Sequence, residues 1–426
     1  MTELATGAAA ILGFDPFAPA FHADPYAQYR RLRAAGPLLR TPANLWVATS
    51  HALCGQVLRD PRFGHRPGGE PDFFRPAGQA EERRSFLSLD PPDHTRLRRL
   101  VSKAFTARLV ERLKPRVCEL VDELLADVTP PDTPADPSAD TAADTAARVS
   151  GETDLIAALA WPLPVAMISE LLGVPPEDKS RFKGWSDALA RGLDPDFLLP
   201  PEEIARREQA RDEFAGYFRA LADRRRAEGG GSDLLSALVE VSDQGDVLTE
   251  AELLATCILL LVAGHETTVN LIGNGALALL RHPDQLAWFR AHPERAAGAI
   301  EELLRYDPPV QLTMRTALED VELAGERVCR GESVLLLLGA ANRDPDAFPE
   351  PDRLDLARAP ERHLAFGLGI HYCLGAPLAR LEGRIALTEL FRREVSLAGE
   401  LSYRDNLVLR GLAALPVRIG PVRIGR

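Results

Sequence analysis

The sequence predicts a mainly α-helical fold with small β-sheets, built as one domain, and three observations predict it. Apolar residues recur at helical spacing over most of the chain, and one such run, opened by Thr249-Glu250-Ala251-Glu252, continues for about thirty residues. The segments with strand character are short and bounded by turn residues: Leu45–Ala48, Val321–Leu323 and Ser333–Leu338. A single cysteine sits in a glycine-bracketed loop, Phe366-Gly367-Leu368-Gly369-Ile370-His371-Tyr372-Cys373-Leu374-Gly375, directly before a helical run from Ala376 to Phe391.

A chain of 426 residues is long for one domain but within reach of a large single-domain enzyme, and 46% hydrophobic residues suffice for its core. The formal charge of −12 excludes a general nucleic-acid binder, which would carry a basic excess. The five cysteines, Cys54, Cys118, Cys257, Cys329 and Cys373, are odd in number and without C-x-x-C pairs. They suggest neither a disulfide framework nor a zinc site, and all but Cys373 read as small core residues. Met1–Gly13 lacks a basic, apolar leader and reads as a flexible tail, and the most apolar stretch, Ile258–Val262, is too short to cross a bilayer. A reducing cytoplasm fits.

In chain order, a short amphipathic helix covers Tyr26–Ala35, a strand Leu45–Ala48, and a helix His51–Arg59. Arg62–Ser85 is a Gly- and Pro-rich loop. Asp90-Pro91-Pro92-Asp93 opens a helix with Asp90 as N-cap. On that helix His94 and Arg98 share a face at i,i+4, while Arg96, Arg99 and Lys103 form a basic stripe. Pro115 is expected to open the following helix. Residues 129–150 are low-complexity Pro/Asp/Thr/Ala, a surface insertion within the domain. Leu155–Leu172, Pro175–Gly192 and Pro201–Glu228 read as helices, and Gly229 ends the last. The capping-boxed run to Leu280 would be roughly 45–50 Å long, enough to cross the whole molecule.

The glycines of the cysteine loop let backbone amides approach one sulfur, and the following helix adds its positive dipole end. Both favour thiolate, the metal-binding form. One cysteinate without a partner cysteine suggests single-point ligation of a macrocycle-held iron. Within the long helix, Ala263-Gly264-His265-Glu266-Thr267-Thr268 sets small residues before an acid–alcohol pair. Gly and two Thr cost helix propensity, a small pair permits close approach of a flat ligand, and a Thr hydroxyl bonded to the preceding turn can open a water site.

These stretches resemble the cytochrome P-450 family of haem-thiolate monooxygenases. The loop matches every fixed position of F-G-x-G-x-H-x-C-x-G, the helix matches A-G-x-[DE]-T, and Glu302-Leu303-Leu304-Arg305 matches E-x-x-R. The resemblance implies the soluble bacterial type, with the long central helix over a haem b. It makes Cys373 the iron ligand, Glu266 the proton-relay acid and Thr267 the hydroxyl beside dioxygen. Ala263, Gly264 and Phe366 would line the haem, and His94, Arg98, Arg315 and His371 would contact its propionates. His265 would face away from the iron. Arg353 would join Glu302 and Arg305 in a structural triad, and the helices of 175–228 would form a lid over the substrate. The implied reaction inserts one oxygen atom from dioxygen into a hydrophobic organic substrate such as a polyketide, terpenoid or steroid. Pocket candidates are Val262, Val310, Gln311, Leu312 and the Phe63–Leu87 loop. Electrons would come from a ferredoxin and ferredoxin reductase, docked near the basic stripe, to a monomeric enzyme. A peroxide-driven peroxygenase and a non-catalytic haem-thiolate sensor are the alternatives, and the intact Glu266/Thr267 pair argues against both.

Overall fold

In the computed structural model the capping-boxed run is one unbroken helix, Glu250–Arg281, with Thr249 Oγ1 accepting from Glu252 N and the Glu252 carboxylate accepting from Thr249 N. The structure describes residues 2–18, 20–65, 85–128, 152–241, 248–359 and 361–422. Most side chains of this helix are buried on every side, as expected of a helix apolar all round. By length and composition alone this helix is long and apolar enough to cross a bilayer, which the stretch Ile258–Val262 within it is not. Here it is the core helix, sheathed by the helices Pro162–Leu171, Ala296–Tyr306 and Ala376–Phe391.

A five-stranded sheet lies to one side, in the order Leu38–Arg40, Trp46–Ala48, Ser333–Leu336, Thr313–Ala317, Phe63–Gly64. Trp46–Ala48 runs parallel to Ser333–Leu336, and the other pairings are antiparallel. The sheet carries Arg315 on its fourth strand. A three-stranded sheet sets Pro416–Val422 between Glu152–Asp154 and Arg393–Leu397, and a small hairpin pairs Ser402–Tyr403 with Leu412–Ala414. The fold class is as expected: mostly helical, small sheets, one domain.

Several local expectations are corrected. Thr2–Leu12 is a helix whose Ala8 and Leu12 pack with Phe14, Phe21 and Tyr29, because its apolar residues find an aromatic partner surface. Pro115 lies inside the helix Ala107–Val128 and does not open it. The helix after Asp90 begins at Asp93 with Pro92 at the N-cap, and the Asp90 carboxylate accepts from His65 N at 2.8 Å. Cys54 and Cys257 are buried, Cys118 is partly buried, and Cys329 is exposed. The 129–150 insertion and most of the 62–85 loop lie outside the described residues.

The two helices Lys179–Arg191 and Pro201–Glu228 pack against each other through Phe182, Trp185, Phe214, Tyr217 and Phe218. Edge-to-face and offset contacts of this kind each add about 0.5–1.5 kcal/mol beyond area burial. Gly229, at φ 78°, closes the second helix in the left-handed conformation that glycine adopts without strain.

Candidate functional site

The cysteine loop is a tight, internally bonded turn. Cys373 N donates to Phe366 O at 3.0 Å, Gly367 N to Leu364 O at 2.9 Å and Tyr372 N to Gly369 O at 3.1 Å. Gly369 (φ 70°) is required twice over, since a Cβ there would also lie 2.3 Å from Leu58 O. The backbone amides of Gly375 and Ala376 act on the Cys373 sulfur in the direction of thiolate, as the loop and helix start imply. Burial outweighs them and holds the thiol above its ordinary value, so the expected thiolate preference of the loop alone is corrected. Taking the sulfur out of water costs the charged form more than two amides and the nearby Arg98 return.

Beyond the sulfur lies a cluster of side-chain donors. The His94 and His371 rings are 4.3 Å apart, and His65 stands 4.7 Å from His371 on its other side. The ring nitrogens of His94 and His371 are buried without a well-formed hydrogen bond. Burial first, and then the Arg315 charge, lowers His371 to about 3 and keeps its ring neutral. Arg98 donates to Tyr372 O at 2.6 Å and lies over Phe86. Arg315 is buried and donates only to Thr313 Oγ1 and Met314 O, and desolvation brings its guanidinium down to about 10. None of these four groups bonds a carboxylate among the described residues. A buried guanidinium without an anion is costly, so the cluster is built for an anionic guest.

On the long helix, Ala263 is exposed and Gly264 and Thr267 are partly buried, while Val262, His265, Glu266 and Thr268 are buried. The helix thus leaves one small-residue face uncovered by the rest of the described chain. Thr267 Oγ1 donates to Ala263 O at 2.8 Å, the expected back-bond, and Thr268 Oγ1 to Gly264 O at 3.4 Å. A Cβ on Gly264 would lie 3.1 Å from Ile168 Cδ1, so its smallness serves the approach of two helices. His265 is buried, bonded to Leu261 O (2.8 Å) and Ser186 Oγ (2.6 Å), which is the hydrogen-bonding role expected of it. Burial would push Glu266 up, but His265 and Arg404 more than offset it and hold the carboxyl below its ordinary value.

The E-x-x-R pair is buried: Arg305 Nε and Nη2 meet the two Glu302 oxygens at 2.7 and 2.8 Å. The third member is Arg358, whose Nε reaches Glu302 Oε1 at 3.2 Å. Arg353, expected there, pairs with Glu350 at the surface and offers only its carbonyl. The basic stripe is thinner than expected, because Arg96 turns to Glu252 at the head of the long helix.

A chain with this loop, this donor cluster and this small-faced helix has many counterparts. The Cytochrome P450 family model matches residues 191–291 and 296–398. The monooxygenase PikC of Streptomyces venezuelae is 44% identical over 93% of this chain and 92% of its own length. The chain belongs to the cytochrome P450 family.

Further P450 relatives cover it end to end. The vitamin D(3) 25-hydroxylase of Pseudonocardia autotrophica is 42% identical over 96% of both chains. Among solved structures, P450 CYP164A2 of Mycobacterium smegmatis superposes with a TM-score of 0.82 at 46% identity, covering 95% of this chain and 98% of that one. CalO2 gives 0.84 at 35%, covering 96% of this chain and 99% of its own. A P450 is an oxygen-incorporating oxidoreductase that carries haem with a cysteine thiolate as axial ligand. The residues present fit such a group: the Cys373 sulfur for the iron and, for two propionates, a set of donors that hydrogen-bond no carboxylate among the described residues.

Four groups that the motifs did not reveal belong to the same neighbourhood. Arg380, Glu301 and His363 brace the cysteine loop, and Arg404 holds Glu266. The sequence signal for Glu301 was available, since it adjoins the E-x-x-R acid on the helix Ala296–Tyr306. Arg404 lies 138 residues from Glu266 with no motif around it, so only the fold brings them together.

Proposed function

We propose that this P450 binds haem b through Cys373 and inserts one oxygen atom from dioxygen into a medium-sized hydrophobic molecule of polyketide, terpenoid or steroid type. The observation that carries the reading is Cys373, partly buried in its glycine-bracketed loop at the head of a helix, beside Arg98, Arg315, His94 and His371, which hydrogen-bond no carboxylate among the described residues. Those four groups would hold the propionates, and Phe366 and Ala263 would line the macrocycle.

Bound haem supplies the activation of dioxygen, which a thiolate ligand favours by donating electron density. The chain's own part is orientation and protons. With its hydrogen committed to Ala263 O, Thr267 Oγ1 keeps lone pairs free to accept a hydrogen bond from water. Glu266, one residue away and ionised, takes up a proton on a carboxylate oxygen and passes it toward Thr267 Oγ1.

A hydrophobic substrate is supported by two facts. Val262 and Leu312 are buried and apolar, and relatives are named as a vitamin D(3) 25-hydroxylase and a 6-deoxyerythronolide B hydroxylase, the latter 39% identical. Both names denote large, mainly apolar molecules. Gln311, a third pocket candidate, is committed to Pro308 O and Tyr26 Oη. Electrons from a ferredoxin and its reductase, in the cytoplasm and to a monomer, complete the reading.

Carbon monoxide on the reduced, haem-loaded protein should give the thiolate-type Soret shift, and Cys373→Ala should abolish it. Retention of the shift in that variant overturns the ligand assignment.

A further inference from the structure

Glu266 is buried on the long helix, yet the charge that meets it comes from the far end of the chain. Arg404 Nη1 lies 2.9 Å from Glu266 Oε2 and 3.1 Å from Oε1. The same nitrogen is 3.9 Å from Asp187 Oδ1 on the helix Lys179–Arg191. Asp187 is half-exposed, whereas Glu266 is 1% exposed, so Arg404 stands between a surface carboxylate and a core one.

The turn that carries Arg404, residues 404–411, is fixed from three directions. Arg404 N donates to Gly411 O at 3.1 Å across the base of the turn. Leu407 N and Val408 N donate to the buried Asp194 carboxylate, at 3.0 and 2.9 Å for the shorter contacts. Asp194 follows directly on the helix of Asp187. Gly411 packs on the long helix so closely that a Cβ would fall 1.8 Å from Asn270 Oδ1, one turn beyond Glu266. Val310 bridges to Leu409 and Gln311 N donates to Val408 O at 3.0 Å, so the turn also touches the segment named above as lining the pocket.

We propose that Arg404 is a positioning residue for Glu266, coupling that carboxylate to the position of the helix Lys179–Arg191 through Asp187. A guanidinium is always charged and offers several N–H donors, so one side chain can serve both carboxylates. The titratable and charged groups facing Glu266 are His265 on its own helix, Arg404 on the turn, and Asp187 on the third element, where Lys183 in turn acts on Asp187. With Arg404 in place the carboxylate stays ionised and turned to the turn. When the helix Lys179–Arg191 shifts, Asp187 shifts with it, and the pull on Arg404 changes. The inference rests on the reading of Glu266 as relay acid only for its consequence; the coupling itself is physical and separately measurable.

The test uses the haem-loaded protein. Infrared difference titration, with Glu266→Gln identifying the protonated-carboxyl band of Glu266, reads the acid directly. Hydrogen–deuterium exchange of the segment Lys179–Arg191 reads the link. Arg404→Ala should raise the Glu266 midpoint by at least about one pH unit, because a buried carboxylate loses its counter-charge. The same variant should speed exchange in that segment several-fold, Arg404→Lys should recover most of both effects, and Asp187→Asn should reproduce the exchange effect while lowering the Glu266 midpoint, since Arg404 is then left to Glu266 alone. An unmoved midpoint in Arg404→Ala overturns the proposal, as does unchanged exchange in Asp187→Asn. If Arg404→Ala fails to fold, Arg404→Lys and Asp187→Asn still decide it, since lysine keeps the charge and loses the fork. Peroxide release during NADPH oxidation through a plant-type ferredoxin and reductase then separates the two readings. A Glu266→Gln protein with unchanged release rejects the relay acid while leaving the coupling standing.

Discussion

Arg380 forks onto Glu301, with Nε 2.7 Å from Oε1 and Nη2 2.8 Å from Oε2. Arg380 sits one turn into the helix that follows Cys373, with its guanidinium over Phe366 (4.5 Å) and within 3.2 Å of Tyr372 Oη. Glu301 comes from the helix Ala296–Tyr306 and also meets His363 at 3.3 Å. One bidentate pair therefore ties both flanks of the cysteine loop to the core. Glu301→Gln keeps the shape and loses the charge, and should cost about 1.5–3 kcal/mol, the range for hydrogen bonds to charged groups. Thermal unfolding of the haem-loaded protein measures it.

The same pair gives a pH dependence. Burial raises Glu301, but Arg380 and His363 outweigh it and bring the carboxyl down to about 2 from an ordinary 4.5. Its folded value is depressed, so its contribution is fully present above about pH 4.5 and fades as pH falls toward about 2. Wild type should lose stability over that window by more than Glu301→Gln does. Parallel acid-unfolding curves for the two proteins would show that the pair contributes nothing.

Arg358 and Arg353 should behave oppositely. Arg358 is largely buried and holds Glu302 together with the carbonyls of Pro349, Glu350 and Arg353. Arg358→Ala strands part of a buried carboxylate and should destabilise by about 2–3 kcal/mol. Arg353→Ala removes an exposed pair with Glu350 and should stay within about 0.5–1 kcal/mol. Urea midpoints at matched slope decide between them.

What was legible in the sequence follows from how local the signals are. The helix Glu250–Arg281 is announced by its own cap and its own apolar run, and Pro201–Glu228 by a proline at its head and Gly229 at its foot. The cysteine loop is legible because Gly369 must have its conformation whatever surrounds it. Arg358 and Arg404 were not legible, since each acts on a carboxylate 56 or 138 residues away, and which arginine arrives depends on the whole fold. The approach of Ile168 to Gly264 was not legible, because a small residue records that something approaches, not what. Thr2–Leu12 was read as a tail because only Phe14, Phe21 and Tyr29, brought in by tertiary structure, make its apolar face useful.

Arg315 yields a prediction with two signs. Its buried guanidinium hydrogen-bonds no carboxylate among the described residues, so in the haem-free protein Arg315→Met should be neutral or slightly stabilising. Haem affinity should fall by about 2 kcal/mol, roughly 30-fold, through loss of a buried charge pair with a propionate. Haem transfer to apomyoglobin and apoprotein melting together test this. A destabilised apoprotein with unaltered haem transfer would assign Arg315 a purely structural role.

Thr267→Ala should leave haem binding and the carbon monoxide spectrum intact, because Thr267 bonds only its own helix. Product formation should fall on the order of 10²-fold while NADPH is still consumed and peroxide released. Unchanged coupling of NADPH to product rejects the proton-delivery role.

Glu382, on the helix after the cysteine loop, is fully buried, touches Thr268, and is pushed by burial up to about 8. At neutral pH it is therefore a protonated acid in the folded protein and an ionised one in the unfolded chain. A raised folded value for an acid means that stability is lost as pH climbs from about 4.5 toward about 8, because the unfolded state alone gains charge. Glu382→Gln keeps the size and removes this penalty. The variant should match wild type near pH 4.5 and exceed it by about 2–4 kcal/mol at pH 8 and above. Equal melting temperatures across that range would mean that Glu382 finds a compensating partner when ionised. A variant less stable at pH 8 would mean that the carboxylate is needed in the fold.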